Sequence, residues 1–224
     1  EESATLKMAA LARELKAEGK DIISLSLGEP DFDTPLHIQE AAKAAIKSEY
    51  FHYPPVNGLQ ELREAICEKF KRDNGLHYEP NQITVSTGAK QTLMNVVMCS
   101  INPGDEVIVP APYWVSYAAM VSLAGGKMVN ISAGVEQDFK ITPEQLEAAI
   151  TDKTRLFIFS SPSNPTGSIY TKDELKGLAE VFERHPNITI VSDEIYEYIN
   201  FIGGHESIAQ FDSIYDRTVT VNGM

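Results

Sequence analysis

Cysteine is nearly absent. The 224 residues hold only Cys67 and Cys99, too few for a disulfide framework or a zinc site built on thiolates. Both fall in apolar, helix-like stretches and read as reduced core thiols, which makes the cytoplasm the default compartment. Positive charge is also short. Nineteen Lys and Arg stand against 32 Asp and Glu, a net charge of −13. A surface that acidic argues against nucleic acid or an anionic membrane as a main partner. Long apolar runs are missing too. Val107–Ala111 and Leu156–Phe159 fall far short of the roughly 20 residues a bilayer requires. The opening EESATLKMAALARE lacks the basic-then-apolar layout of a signal peptide. No fixed-period repeat or low-complexity tract occurs, and the five histidines (His37, His52, His77, His185 and His205) show no ligand spacing. No metal site and no catalytic histidine are expected. What remains, 43% apolar residues, suffices for a globular core.

The apolar residues fall into alternating patterns. Ser3–Lys20 has helical spacing, Ile22–Leu27 is a short extended run, and Thr34-Pro35 opens a helix to about Ser48. Leu59–Asn74 places Leu62, Ile66 and Phe70 on one helical face, with Gly75 as its stop. Strands are then expected at Ile83–Ser86, Val107–Val109, Lys127–Ile131, Arg155–Ser160, Ile188–Ser192 and Thr218–Val221. Helices are expected between them at Ala89–Ser100, Val115–Leu123, Thr142–Ile150 and Thr171–Arg184. The last two open on capping boxes, Thr142…Gln145 and Thr171…Glu174. Strands alternating with helices imply right-handed crossovers and a mostly parallel α/β sheet. Continuous apolar strands such as LFIF and ITIV suit a sheet with helices on both faces.

In such a sheet ligands bind beyond the carboxyl ends of the strands. Thr87-Gly88-Ala89-Lys90 follows the first expected strand. Its small residues and the helix start behind it can cradle an anion, although taken alone a plain βα turn is the better reading. It is neither a dinucleotide fingerprint nor a P-loop, since neither glycine spacing occurs. Trp114, the only tryptophan, follows Pro110-Ala111-Pro112. A stiffened turn there can lay a flat indole on an aromatic ligand, though a lone Trp is more often a core residue. Ser161–Gly167 holds Asn164 between two prolines, a rigid loop that admits a cis peptide. Asp193 ends an apolar strand, where a carboxylate needs a helix to cap, an ion pair or a cationic ligand. Tyr196, three positions on, can reach the same place.

An acid for a ring nitrogen, an amide and a phenol for a ring hydroxyl, an indole for a ring face and a helix end for a phosphate together describe pyridoxal 5'-phosphate. With the segments LGEPDFDTP, PAPYWVSY, SSPSNPTG and VSDEIYE in this order, the chain resembles the class I pyridoxal-phosphate aminotransferases of fold type I. PYWVSY narrows the likeness toward the bacterial aspartate group. The resemblance implies that residues 1–36 contribute to a small domain and residues 37–224 form most of the large cofactor-binding domain. It implies that Gly28 lies beside the substrate carboxylate and that Tyr53 reaches across a homodimer interface to the partner's cofactor phosphate. Gly88, Ala89 and Lys90 would bind the phosphate, with Ala89 where a glycine is more usual. Trp114 would stack on the ring, Asn164 and Tyr196 would bond its hydroxyl oxygen, and Asp193 would keep its nitrogen protonated.

The activity implied is amino transfer between aspartate or glutamate and a 2-oxo acid. The same cofactor serving an aromatic or neutral amino acid, prephenate or a β-elimination is an alternative, as is a catalytically dead binding subunit. In the family the last strand runs into V-N-G-x-[SA]-K, whose lysine anchors the cofactor and moves the proton. The sequence ends at Val221-Asn222-Gly223-Met224. The 224 residues therefore read as a segment of a longer polypeptide, expected to be inactive alone, and Lys90 is no substitute for that lysine.

Overall fold

The computed structural model describes residues 4–25, 28, 32–46 and 52–223. The chain divides into two compact units, Glu1–Pro54 and Pro55–Met224. The first contains two helices, α1 (Ala4–Ala17) and α2 (Leu36–Ile46). Residues 22–25 of the extended run expected over Ile22–Leu27 are irregular, and its last two residues lie outside the described residues. The end expected for α2 near Ser48 also lies outside them.

The second unit opens with α3 (Gln60–Lys69). The single helix expected to Asn74 is corrected here. Phe70–Asn74 winds as a π-helical turn, closed by Gly75 in the left-handed region at φ +66°, where glycine carries no Cβ penalty. Next come α4 (Ala89–Ser100), β1 (Glu106–Ala111), α5 (Ser116–Leu123), β2 (Lys127–Ser132) and α6 (Pro143–Ala149). They are followed by β3 (Thr154–Ser160), α7 (Lys172–Glu183), β4 (Thr189–Asp193), α8 (Asp212–Tyr215) and β5 (Thr218–Val221). Both capping boxes form: Thr142 and Thr171 accept the N–H groups of Gln145 and Glu174 at 3.3 Å each.

The sheet order is β2-β1-β3-β4-β5 and every pairing is parallel. The chain steps from β1 to β2 with α5 on one face, then back past β1 to β3 with α6 on the other. Right-handed crossovers in opposite directions place helices on opposite faces. The core records this by strand parity. Val107, Val109, Leu156, Ile158 and Val191 pack with α4 and α5. Ile108, Phe157, Phe159 and Ile190 pack with α6, α7 and α8. Fully burying one such side chain contributes about 1.5–3 kcal/mol.

Two expectations are corrected. Residues 83–86 are not a strand of the sheet. Val85 N–H makes one backbone bond, to Asn57 O at 3.1 Å. β-Branched residues fit an extended chain, but they do not supply a neighbouring strand. Gly58 is required at that contact: its φ is +97°, and a Cβ there would lie 2.7 Å from Val85 Cγ2. Nor are both cysteines core thiols, since Cys67 is half-buried and Cys99 is exposed. On α4 the buried positions are Leu93 and Val97, and residue 99 lies about 200° round the helix from residue 97. Among the described residues no helix is long and apolar enough to cross a membrane.

Candidate active site

The sheet order reverses between β1 and β3, so a crevice opens beyond the carboxyl ends of the central strands. Three strands deliver side chains to it, and the segment before α4 delivers a helix start. Asp193 is the last residue of β4 and pairs in register with Ser160, the last of β3. Its parity matches that of Val191, so its side chain turns to the face covered by α4 and α5. There Tyr117 Oη donates to Asp193 Oδ2 at 2.6 Å. The other oxygen, Oδ1, accepts a longer bond from Ile195 N–H at 3.4 Å.

Tyr117 is 1% exposed. Its ring meets Trp114 edge-on, with centroids 5.6 Å apart and planes at 89°, a favourable geometry for two quadrupoles. Trp114 stands after the cis Ala111–Pro112 bond that closes β1, and the ammonium of Lys90 lies 5.0 Å from its ring centroid. Thus Asp193, Tyr117, Trp114 and Lys90 form one continuous chain of contacts.

The loop after β3 has cis bonds at Ser161–Pro162 and Asn164–Pro165. It is pinned by Ser161 N–H to Asp193 O (3.2 Å), by Gly167 N–H to Ser163 O (2.8 Å) and by Asn164 N–H to Ser160 Oγ (3.3 Å). Asn164 Nδ2 donates to Tyr196 Oη at 3.5 Å, so amide and phenol aim at one place. Gly88 precedes α4 with φ +81°, and a Cβ built on it meets nothing within 4 Å. The N–H groups of Ala89 and Lys90 open the helix, where no intrahelical acceptor exists. Gly28 and Tyr53 belong to the first unit, and Tyr53 is fully exposed.

Burial raises the Asp193 carboxyl above the ordinary carboxylate value. The Tyr117 hydrogen bond opposes that rise, and the neighbouring Glu194 charge adds to it. Burial and the Asp193 charge push the Tyr117 phenol far above its usual range, so it stays protonated and can only donate here. A group whose folded pKa is raised gives its full stabilisation below the unfolded pKa and loses it as pH rises through the folded value. In protein stripped of small molecules, Asp193→Asn should therefore gain in thermal midpoint over the parent as pH rises from the carboxylate's ordinary 3.8. A midpoint difference that stays flat from pH 4 to 8 would contradict a carboxyl raised by burial.

Tyr117 was not singled out by sequence reasoning. Its signal was an unmet need: a carboxylate ending an apolar strand requires a donor. Tyr117 sits three residues after Trp114, and its N–H bonds Trp114 O at 3.0 Å. The assembled features are a buried acid, a half-covered indole, a converging amide and phenol, and a helix start. They suit a flat ligand with a cationic ring atom, a ring oxygen and an anionic arm.

Residues 20–224 match the family described as aminotransferase class I and II. An aspartate/prephenate aminotransferase from Cereibacter sphaeroides is 55% identical across 99% of this chain, which covers 56% of that protein. The crystal structure of the aspartate aminotransferase from Rhizobium meliloti superposes with a TM-score of 0.95 at 46% identity. That alignment covers all of this chain and 56% of the other. The Thermus thermophilus aspartate aminotransferase solved with maleate gives 0.94 at 44% identity, over all of this chain and 58% of the other. The chain thus spans about half the length of the relatives it matches. A parallel sheet in this strand order with an acid at its rim, matched over nearly every residue, leaves one conclusion: the chain belongs to the class I and II aminotransferases, with the fold type I architecture.

Proposed function

We propose that the complete protein binds pyridoxal phosphate and moves an amino group between aspartate or glutamate and a 2-oxo acid. The observation that carries this reading is the buried Asp193 carboxylate at the strand rim, held by Tyr117 at 2.6 Å with no Lys or Arg on it among the described residues. Its missing cationic partner is what a protonated pyridine nitrogen supplies. The other residues present fit the same group. Trp114 offers a ring face, Asn164 and Tyr196 converge for one oxygen, and the start of α4 with Lys90 suits a phosphate.

When bound, pyridoxal phosphate supplies an electron sink for the pair left on the substrate's α-carbon. The chain's own residues set the conditions for this. Asp193 accepts the pyridine N–H and keeps that proton in place, a charge-assisted bond worth about 1.5–3 kcal/mol. Tyr117 holds the carboxylate in one orientation by occupying Oδ2. Trp114 covers a ring face and excludes water from it. Asn164 and Tyr196 donate to the ring-hydroxyl oxygen. The Ala89 and Lys90 N–H groups would donate to the phosphate and the Lys90 ammonium would offset its charge, and Gly28 is assigned to the substrate carboxylate on its match to the family's motif alone. Tyr53, fully exposed, suits a contact with a second copy's cofactor phosphate in a homodimer.

The Thermus relative was solved with maleate, a dicarboxylate, which favours aspartate and glutamate as substrates. The Cereibacter relative's name adds prephenate, an acceptor that also carries a 2-oxo acid. The test is a steady-state assay of the complete protein with aspartate or glutamate against 2-oxoglutarate, oxaloacetate and prephenate. We expect oxaloacetate to form from aspartate, together with a cofactor absorbance band on the purified protein. Absence of both would overturn the reading.

A further inference from the structure

Tyr196 stands in a turn whose flanking residues are tied down from two sides. On one side, Glu194 is 1% exposed and faces no Lys or Arg among the described residues. Its carboxylate collects Ser192 Oγ (2.8 Å), Ser207 Oγ (2.6 Å) and His205 Nε2 (2.7 Å). On the other side, Glu197 is 5% exposed. It accepts from Lys69 and, at 2.8 Å, from Asn74 Nδ2. Burial alone would raise the Glu197 carboxyl, yet Lys69 and Asn74 hold it below its ordinary value. Next to it Tyr198 Oη donates to Asp73 Oδ2 at 2.7 Å. The turn itself closes by Glu197 N–H to Glu194 O (3.0 Å) and Ile199 N–H to Tyr196 O (2.8 Å).

Lys69, Asp73 and Asn74 belong to the stretch where α3 loosens into its π-helical turn, a departure that often marks functional places. Glu194, Glu197 and His205 each bring a ligand atom within 4.8 Å of the others, but protein donors already engage both carboxylates. Two buried carboxylates in one turn are a poor device for stability, because apolar residues of similar volume commonly hold a fold as well. They do fix direction.

We propose that Lys69 and His205 are positioning residues that act through Tyr196: the Lys69–Glu197 and His205–Glu194 contacts lock the turn 194–197, so that the Tyr196 phenol keeps its aim beside Asn164. The inference rests on the reading above, in which that phenol donates to the cofactor's ring oxygen.

The test uses the complete protein loaded with pyridoxal phosphate and follows the pH midpoint of the bound cofactor's colour change. Asp193, Glu194, Glu197, Lys69, Arg72 and Asp73 are the charged groups around the turn, and Tyr117, Tyr78, Tyr198 and His205 are the titratable ones. The comparison is therefore made between variants rather than against an absolute value. Lys69→Met and His205→Ala should each move the midpoint upward by about one to two pH units at most, the size of one lost hydrogen bond to a charged oxygen. In a Tyr196→Phe background the same changes should move it no further, a coupling that a general loss of stability would not produce. Lys69→Arg and His205→Gln should restore most of the aim. Tyr198→Phe removes the exposed hydroxyl's bond to Asp73; it should move the midpoint the same way by a smaller amount, and serves if the others do not fold.

An unmoved midpoint in every variant that folds, or shifts that add to that of Tyr196→Phe, would overturn the inference and leave the functional reading standing. If the parent protein binds no pyridoxal phosphate, the functional reading falls and takes this inference with it; if Tyr196→Phe alone leaves the midpoint in place, this inference falls and amino transfer still stands on its own assay.

Discussion

Asp193→Ala in the complete protein should lower turnover about a hundredfold or more, since losing a bond of about 3 kcal/mol in the transition state is about two decades of rate. Cofactor dissociation should change by less than about tenfold, because the phosphate, ring-face and ring-oxygen contacts sit on other elements. The asymmetry is the informative part. Asp193 would keep the ring nitrogen protonated, and a ring that has lost that proton would be a poorer sink for the pair left by the α-proton, so the loss weighs on the transition state rather than on binding. Measured kcat and the cofactor's dissociation constant, taken together, check this. Near-normal turnover in the variant would mean that the acid at the rim pairs with something other than a reacting heterocycle.

Phe157→Ala should remove about 3–5 kcal/mol of folding stability. Phe157 is 0% exposed at the middle of β3. Its ring centroid lies 5.3 Å from that of Phe159 and 5.1 Å from that of Phe182 on α7. The three rings join the sheet to the helix that carries the chain from β3 to β4. Truncation would leave a cavity between rigid elements that cannot collapse to fill it. A urea titration should show an earlier midpoint with an unchanged slope. A loss below about 1 kcal/mol would mean that β3 and α7 repack freely.

The parts of this molecule legible in the sequence are those decided locally. The capping boxes at Thr142 and Thr171 could be read because donor and acceptor lie three residues apart. The order of strands and helices could be read because each carries its own apolar period. Residues 83–86 were misread because extended conformation is local while pairing is not. The π-helical turn at Phe70–Asn74 was hidden because its apolar spacing continues that of α3, and the requirement it meets comes from Glu197 and Tyr198, more than a hundred residues away. Tyr117 escaped for the same reason: its partner Asp193 is 76 positions on. His205 carries no motif spacing, yet its imidazole is buried against Glu194. What the segments after the strands did announce was residue type, and the fold then brought Asp193, Trp114, Asn164 and Tyr196 to one rim.

The pairing of Ser160 with Asp193 has a consequence for how this lineage can vary. Side chains in β4 alternate between the two faces, so adding or deleting a single residue before position 193 would swing Ser192 or Glu194 toward the tyrosine and send the acid to the opposite helical layer. Apart from Asp193 itself, point substitutions along β4 can be absorbed one at a time, whereas a one-residue length change there would take the acid away from Tyr117. Length polymorphism among descendants should therefore gather in the connecting loops and stay out of that five-residue strand.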